Sequence, residues 1–485
     1  MTVDRRRFLQ VLGAGAAVLG TSGAAGGGPR WERLRARMSG PVLLPGDAGY
    51  EQVSTGYLRL YDRQRPAAVA RCVRAEDVQA CVEFAAANRI PVAARAGGHS
   101  YAGYSSPDGG LVIDLRALNS VDPLPGGRAV VGGGALLGEV YTELGKVGRA
   151  LPGGTCATVG VGGLTLGGGI GVLSRKYGLT CDRVTSMRVV TPDGCLRTAA
   201  PGSEPELFWA LRGGGGGNLG VVTSFTFSTA PAREASVFTL TLPISAVGAM
   251  LAAWQDWIPT LPDEMSAALG VPGGGAATFA AEGCFVGTAR QARPWVDDLI
   301  RRIGSQPLTR EEQDLTHVQA MQHFAGCADL GGASCRPSWG GQVGGYPRNS
   351  YVGASRMLTA PLRDPQAVAD LITGPAGLYT IFDTLGGAVG RGESAYPHRA
   401  ALSIIQVLHD VGGAAGDEPT VRHTVGQVRD ELTRHTGATG YVNYMDPQMP
   451  DWAHAYYGAS LPRLRRAARR YDPDRVFAFP QGLVG

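Results

Sequence analysis

The chain has 485 residues, 44% of them hydrophobic and 18% charged, with 73 glycines and a net charge of +4. That is enough apolar material for more than one cored domain, and apolar runs along the whole length exclude a disordered or fibrous chain. The charge is too slight to point to nucleic acid. The one dense basic stretch, Arg463 to Arg470, reads as the solvated face of a short helix.

At the N-terminus, Arg5-Arg6-Arg7-Phe8-Leu9-Gln10 precedes a modest apolar run from Val11 to Leu19, followed by small residues. This is the layout of a twin-arginine export signal. It predicts a signal region over residues 1–30, the twin-arginine machinery as a partner, and an extracellular or cell-envelope destination. The apolar run is too short to cross a bilayer as a helix, so stable membrane insertion is not expected. Gly13, Gly15 and Gly20 imitate a dinucleotide fingerprint, but no strand precedes them.

Next, Ala68 to Val73 reads as a strand and Ala75 to Asn88 as a helix. Val78, Cys81, Val82 and Ala85 fall at helical spacing, with Glu76 and Asp77 in the first turn. Strands follow at Ile90 to Arg95 and Leu111 to Leu115, with the loop Ala96-Gly97-Gly98-His99-Ser100 between them. A strand at Ala129 to Gly132 and a helix at Leu137 to Leu144 lead into a glycine-rich run from Gly153 to Gly171. Val184 to Val190, the turn Pro192-Asp193-Gly194 and a strand returning from Cys195 predict a hairpin. A helix over Glu204 to Leu211 and an alternating strand over Val221 to Phe227 close this α+β region. From Ala235 the texture changes. Strand-like Val237 to Leu242, Ala277 to Val286 and Leu402 to Val407 mix with amphipathic helices at Ala246 to Trp257 and Gln291 to Ile303. They predict a second domain, an antiparallel sheet backed by helices, with a cleft between the two. The divisions are 45–232, 233–438 and 439–485, the last returning to the first domain.

Eight cysteines permit disulfides after export. Cys327 and Cys335 flank a glycine-rich loop and are the first candidate pair. No CxxC and no His/Cys spacing suggests a metal.

Three stretches carry the chemistry. In Arg95-Ala96-Gly97-Gly98-His99-Ser100, paired glycines let backbone N–H groups approach a pyrophosphate, and His99 can reach a bound ring. Gly154-Thr155-Cys156-Ala157-Thr158-Val159-Gly160, continuing through Gly163 and Gly168, supplies backbone free of side-chain bulk, as a flat ligand requires. In Tyr441-Val442-Asn443-Tyr444, an extended conformation without a bulge points Tyr441 and Asn443 to one face and Tyr444 to the other. Taken singly, each has a plainer reading: an exposed loop histidine, an inert thiol, an aromatic strand.

Together, and in this order, they resemble the berberine-bridge-enzyme family of FAD-linked oxidases, within the vanillyl-alcohol-oxidase (PCMH-type) flavin fold. The likeness runs from Arg65 to Phe227 and from Tyr441 to Phe479. It includes Gly217-Asn218-Leu219-Gly220-Val221-Val222-Thr223, Gly386-Gly387-Ala388, Tyr396-Pro397-His398-Arg399 and Tyr471-Asp472-Pro473.

The resemblance implies a two-part FAD-binding domain and a flavin held by two covalent bonds, from His99 to its 8α-methyl and from Cys156 to its C6. Arg95, Gly97, Gly98, Ser100, Val159, Gly160, Gly163, Gly168, Gly220 and Val222 would line the cofactor, and Asn443 would touch its ring. Tyr441 would be the catalytic base. A phenol titrates near 10, so its pKa must be lowered or it must act in concert with hydride loss. Tyr444 would assist, and Gln406 and Asp383 would face the substrate. Val159 is the small residue that in such oxidases admits O2. The implied reaction takes hydride from an alcohol or amine carbon, with or without ring closure, and yields hydrogen peroxide. The implied substrate is a secondary metabolite. An extracellular oligosaccharide, or a toxic metabolite bound for resistance, is the alternative.

Overall fold

A computed structural model describes residues 30–327, 329–412 and 416–484. The twin-arginine layout lies outside them. The first sheet joins Ala68–Arg71, Leu111–Asp114 and Val92–Arg95 in parallel, with Val42–Leu43 as an antiparallel edge. Parallel neighbours need a crossover. Helix Ala75–Asn88 supplies one, burying Val78, Cys81, Val82 and Ala85 as the periodicity predicts. Each parallel strand is four residues long, so a short loop leaves Arg95 at the sheet's C-terminal edge and carries His99 away from it.

A second sheet is antiparallel throughout, in the order Val121–Leu124, Arg128–Gly132, Val221–Ser228, Val184–Val190, Leu196–Ala199. The expected hairpin forms, with the Thr191 side chain and its backbone N–H closing on Cys195 O. The chain's last stretch packs here: Val442, Tyr456, Tyr457 and Leu464 share a core with Val131, Phe225 and Leu207. Helix Leu461–Tyr471 contains the basic stretch, with Leu464, Ala467 and Ala468 inward. Arg463 pairs with Glu206 at the surface.

The third sheet has seven antiparallel strands, in the order Thr309–Leu315, Ala235–Pro243, Thr278–Phe285, Met265–Pro272, Leu378–Thr384, Ser403–Asp410, Tyr351–Leu358. Side chains alternate across it. Phe238, Leu240, Leu242, Leu269, Val271, Phe382, Ile405 and Val407 face a core with helices Val247–Trp257, Ala289–Ile303, Pro365–Thr373 and Glu418–Thr436. The opposite face, with Thr239, Ala268, Gly270, Ile381, Asp383 and Gln406, looks into the cavity described below. Among the described residues, no helix is long and apolar enough to cross a membrane.

The glycine run folds in part as a short helix, Val161–Leu166. One expectation needs correction. Val442–Tyr444 forms a 3-10 turn rather than an extended strand, so Tyr444 does not point away from Tyr441. Their rings meet edge to face with centroids 5.0 Å apart.

Candidate active site

The loops bearing His99 and Cys156 are far apart in sequence and are joined backbone to backbone. A Cβ on Gly97 would lie 2.5 Å from the Thr158 carbonyl oxygen and closer still to the Gly160 nitrogen. A Cβ on Gly160 would in turn collide with Gly97 and Ala96. These two glycines are therefore required by loop docking, whereas Gly163 faces open space: a Cβ there meets no protein atom within 4 Å.

Docking sets a single hydroxyl, Thr158 Oγ1, 2.9 Å from His99 Nε2 and 3.3 Å from Cys156 Sγ. Tyr57 stacks on the His99 ring at 4.1 Å, and Trp339 meets it edge-on at 5.6 Å while donating its indole N–H to Gly97 O. Tyr346 closes the other side, its hydroxyl 3.6 Å from Cys156 Sγ. Burial pushes the His99 imidazole down to about 3, so it stays neutral and nucleophilic at physiological pH.

Both loops border a cavity of about 1100 Å3 that runs from the first sheet to the third. Gly97, Gly98, His99, Ser100, Cys156, Val159, Gly160, Gly163, Gly220, Val222, Tyr441, Asn443, Tyr444, Gln406 and Asp383 all line it. Two expected residues do not. The Arg95 guanidinium is buried beneath the loop, bound to the carbonyls of Val53 and Ser54, to Ser106 Oγ and to Asp114, and so anchors the loop from behind. Gly168, at φ +124°, makes room for the Tyr396 ring.

At the far end the Tyr441 hydroxyl accepts N–H bonds from Gly169 and from Asn443 Nδ2, each 2.9 Å long. Asn443 also donates to Leu164 O at 3.0 Å, and Gly167 leaves the space its amide occupies. Burial pushes the Tyr441 phenol above its ordinary value, opposed by these donors. Tyr444 lies between Tyr441 and Tyr101, stacked on Tyr101 at 5.1 Å, and Gln406 Nε2 donates to the Tyr101 hydroxyl. Burial pushes the Asp383 carboxyl up to about 7.

Sequence reasoning missed Tyr57, Tyr101, Trp339, Tyr346 and Thr158. Thr158 and Tyr101 stand inside or beside the quoted motifs and could have been found there. Tyr57, Trp339 and Tyr346 arrive from segments with no pattern of their own. The segment carrying the last two is stapled by the Cys327–Cys335 disulfide, the pair expected from spacing.

Comparison with known proteins agrees with this architecture. Residues 66–200 match the FAD binding domain model, and residues 440–483 match the model described as berberine and berberine like. An uncharacterized FAD-linked oxidoreductase of Bacillus subtilis, YgaK, is 30% identical over 93% of this chain and 98% of its own. A chitooligosaccharide oxidase of Gibberella zeae is 30% identical over 91% of this chain and 92% of its own. The solved structure of BBE-like 1 from Physcomitrella patens superposes with a TM-score of 0.86 at 28% identity, covering 93% of this chain and 98% of that one. The two domain models fall on the two stretches that enclose the cavity, and the whole-length relatives leave little of the chain unmatched: it belongs to the berberine-bridge-enzyme-like FAD-linked oxidoreductases.

Proposed function

We propose that this protein is an oxidase that removes a hydride and a proton from an alcohol or amine carbon of a small molecule, with FAD tethered through both His99 and Cys156. The observation that carries the reading is the convergence of His99, Cys156, Tyr441, Asn443 and Asp383 on one glycine-lined cavity. The cavity fits the cofactor: a Cβ on Gly163 would stand in its free space, so the wall is bare backbone where a flat ring has to lie. No lysine or arginine lines it among the described residues. A pyrophosphate would be held by loop N–H groups, with Gly97, Gly98, Ser100, Gly160, Gly220 and Val222 along its length.

Bound there, FAD would supply an acceptor for the hydride and a route for the two electrons to O2, which yields hydrogen peroxide. The protein supplies the rest. Thr158 orients His99 and Cys156 toward the same space, and Tyr57 and Trp339 fix the imidazole plane. The Tyr441 oxygen receives two N–H bonds, which would stabilise it as a phenolate. Because burial raises the phenol, proton transfer to it belongs in the same step as hydride departure. Asp383, held near 7 on the wall of the same cavity, is the second candidate to take that proton. Val159, beside Gly160, leaves room for oxygen.

A secondary metabolite is the first substrate reading. An oligosaccharide is the second, favoured by the name of the Gibberella relative and by the tyrosines that line the cleft. Export through the twin-arginine route rests on Arg5 to Leu19 and suits a cofactor installed before secretion. Retention of yellow flavin in the acid-precipitated pellet tests the tethers. The wild type should keep it, His99→Ala and Cys156→Ala should each keep part, and the double variant should lose it. Flavin that washes free of the wild type sinks bicovalent attachment. Peroxide release across a panel of amines, alcohols and oligosaccharides tests the reaction, and tight binding without turnover would favour a sequestering role.

A further inference from the structure

Apart from the neutral His99, the titratable charged side chains lining the cavity are all acidic among the described residues: Glu282, Asp383 and Asp410. The chain has 45 lysines and arginines against 41 acids, so a lining without regard to charge would carry both signs. Two of the three carboxylates are brought together by strand register. Ala268 pairs with Glu282 on one side and with Asp383 on the other. The two acids therefore stand on one face of the sheet, two strands apart, with roughly 10 Å between their backbones.

The floor between them is low, being made of Ala268, Gly270 and Ala280. A Cβ on Gly270 would collide with the Tyr379 hydroxyl and lie 3.0 Å from ring atom Cζ. The tyrosine thus leans across the slot as a wall, and the charges of both acids act on its hydroxyl. Tyr379 is 43% exposed, at the solvent side of the cleft. Only burial sets the Asp383 carboxyl near 7, with no protein donor or cation contributing. Glu282 is met from the rim by His323 Nε2 at 2.6 Å.

An organic ammonium suits all of these features. It neutralises Asp383, which has no basic partner, it shares Glu282 with His323 at the rim, and it presents charge to a tyrosine face. An anionic ligand would meet the reverse. We propose that this slot receives a cationic amine of the substrate, held between Glu282 and Asp383 against Tyr379. The inference rests on the oxidase reading and narrows it to nitrogen-bearing molecules, whichever carbon is oxidised.

Binding without turnover tests this separately from the oxidase reading. Calorimetric titration of the purified flavoprotein would compare benzyltrimethylammonium, its uncharged isostere neopentylbenzene, and phenylacetate. The cation should bind at least about tenfold more tightly than either, the scale of one well-placed charge contact. Asp383→Asn and Glu282→Gln, each checked for wild-type secondary structure by circular dichroism and for wild-type flavin content, should each erase most of that preference. The proposal is overturned if phenylacetate or the neutral isostere binds as well as the cation, if the cation does not bind, or if its affinity in both variants equals that of the wild type. Peroxide release from neutral oligosaccharides alone, with no cation preference in binding, would leave an oxidase and remove the amine slot.

Discussion

Gly97 and Gly160 touch through their backbones, each occupying the space a side chain on the other would need. The contact joins a loop of the parallel sheet to the glycine-rich run and so places His99 and Cys156 around one hydroxyl. Neither loop holds its reactive residue in position alone.

Replacing Gly97 by alanine forces a methyl against the Thr158 carbonyl and the Gly160 amide, which cannot swing aside as a side chain could. The cost should approach the upper end of overpacking, about 3 kcal/mol, with loss of covalent flavin. Gly163→Ala is the control. Its methyl meets no protein atom, so stability should shift by no more than about 0.5 kcal/mol while flavin content still falls. Melting temperature and bound-flavin absorbance of both variants decide it. Equal destabilisation by the two would refute the distinction between docking and cavity-facing glycines.

The Cys327–Cys335 disulfide closes a loop with a sequence separation of 8, just ahead of Trp339 and Tyr346. Loop-closure entropy puts its contribution at about 2.5 kcal/mol. Cys327→Ser with Cys335→Ser should lower the melting temperature accordingly. It should also slow flavin attachment, because the segment covering His99 and Cys156 is no longer stapled. Attachment at the wild-type rate in the double variant would show that the segment needs no staple.

Acid should destabilise the fold through two histidines that do not line the cavity. Burial pushes His317 and His398 down to about 4, against about 6.5 in an unfolded chain. As pH falls the unfolded chain takes up protons first, so stability is complete above about pH 7 and is lost between 6.5 and 4. At pH 5 each should cost roughly 2 kcal/mol. His317 Nε2 has no hydrogen-bond partner among the described residues, so His317→Leu should cost little at pH 7 and remove about half the acid sensitivity. A urea midpoint that does not move between pH 7 and pH 5 in the wild type would contradict this.

How far the sequence is legible depends on the range of the contacts involved. Helix Ala75–Asn88 and strand Val184–Val190 are legible to their ends because their apolar spacing and turn residues are local. Strands Met265–Pro272, Tyr351–Leu358 and Leu378–Thr384 went unread. The first two carry small residues, among them Ala268 and Gly270 where the sheet faces a cavity instead of a core, which blurs the alternation, whereas Leu378–Thr384 alternates in burial but places Thr380 on the buried side. At the site, His99, Cys156, Tyr441 and Asn443 were readable as motif residues. Arg95 and Gly168 were placed with them by adjacency alone, and three-dimensional packing turns both away from the cavity. Tyr57 and Trp339 are 282 residues apart in number yet pack, one stacked and one edge-on, against the same imidazole, a relation no local pattern encodes.

Asp383 offers a test in which stability and activity move in opposite directions. Its carboxyl sits at about 7 in the folded protein and near 3.9 in an unfolded chain. The native state therefore holds this proton more firmly. The resulting stability is full below about pH 4 and is lost as pH rises through 7. At pH 8 the folded protein carries an unpaired carboxylate on the cavity wall. Asp383→Asn removes that charge while keeping the shape, so it should stabilise the protein at pH 8 and not at pH 4. The side chain lines the cavity and is partly exposed, so the gain should be roughly 1–3 kcal/mol, below the full linkage value. The same variant should lower kcat/KM by at least about tenfold, since the group poised near 7 is gone. Melting temperatures at pH 4 and pH 8, with peroxide release at pH 8, check both halves. A variant less stable than the wild type at pH 8 would mean that the carboxylate has a partner and that its charge is not held at a cost for function.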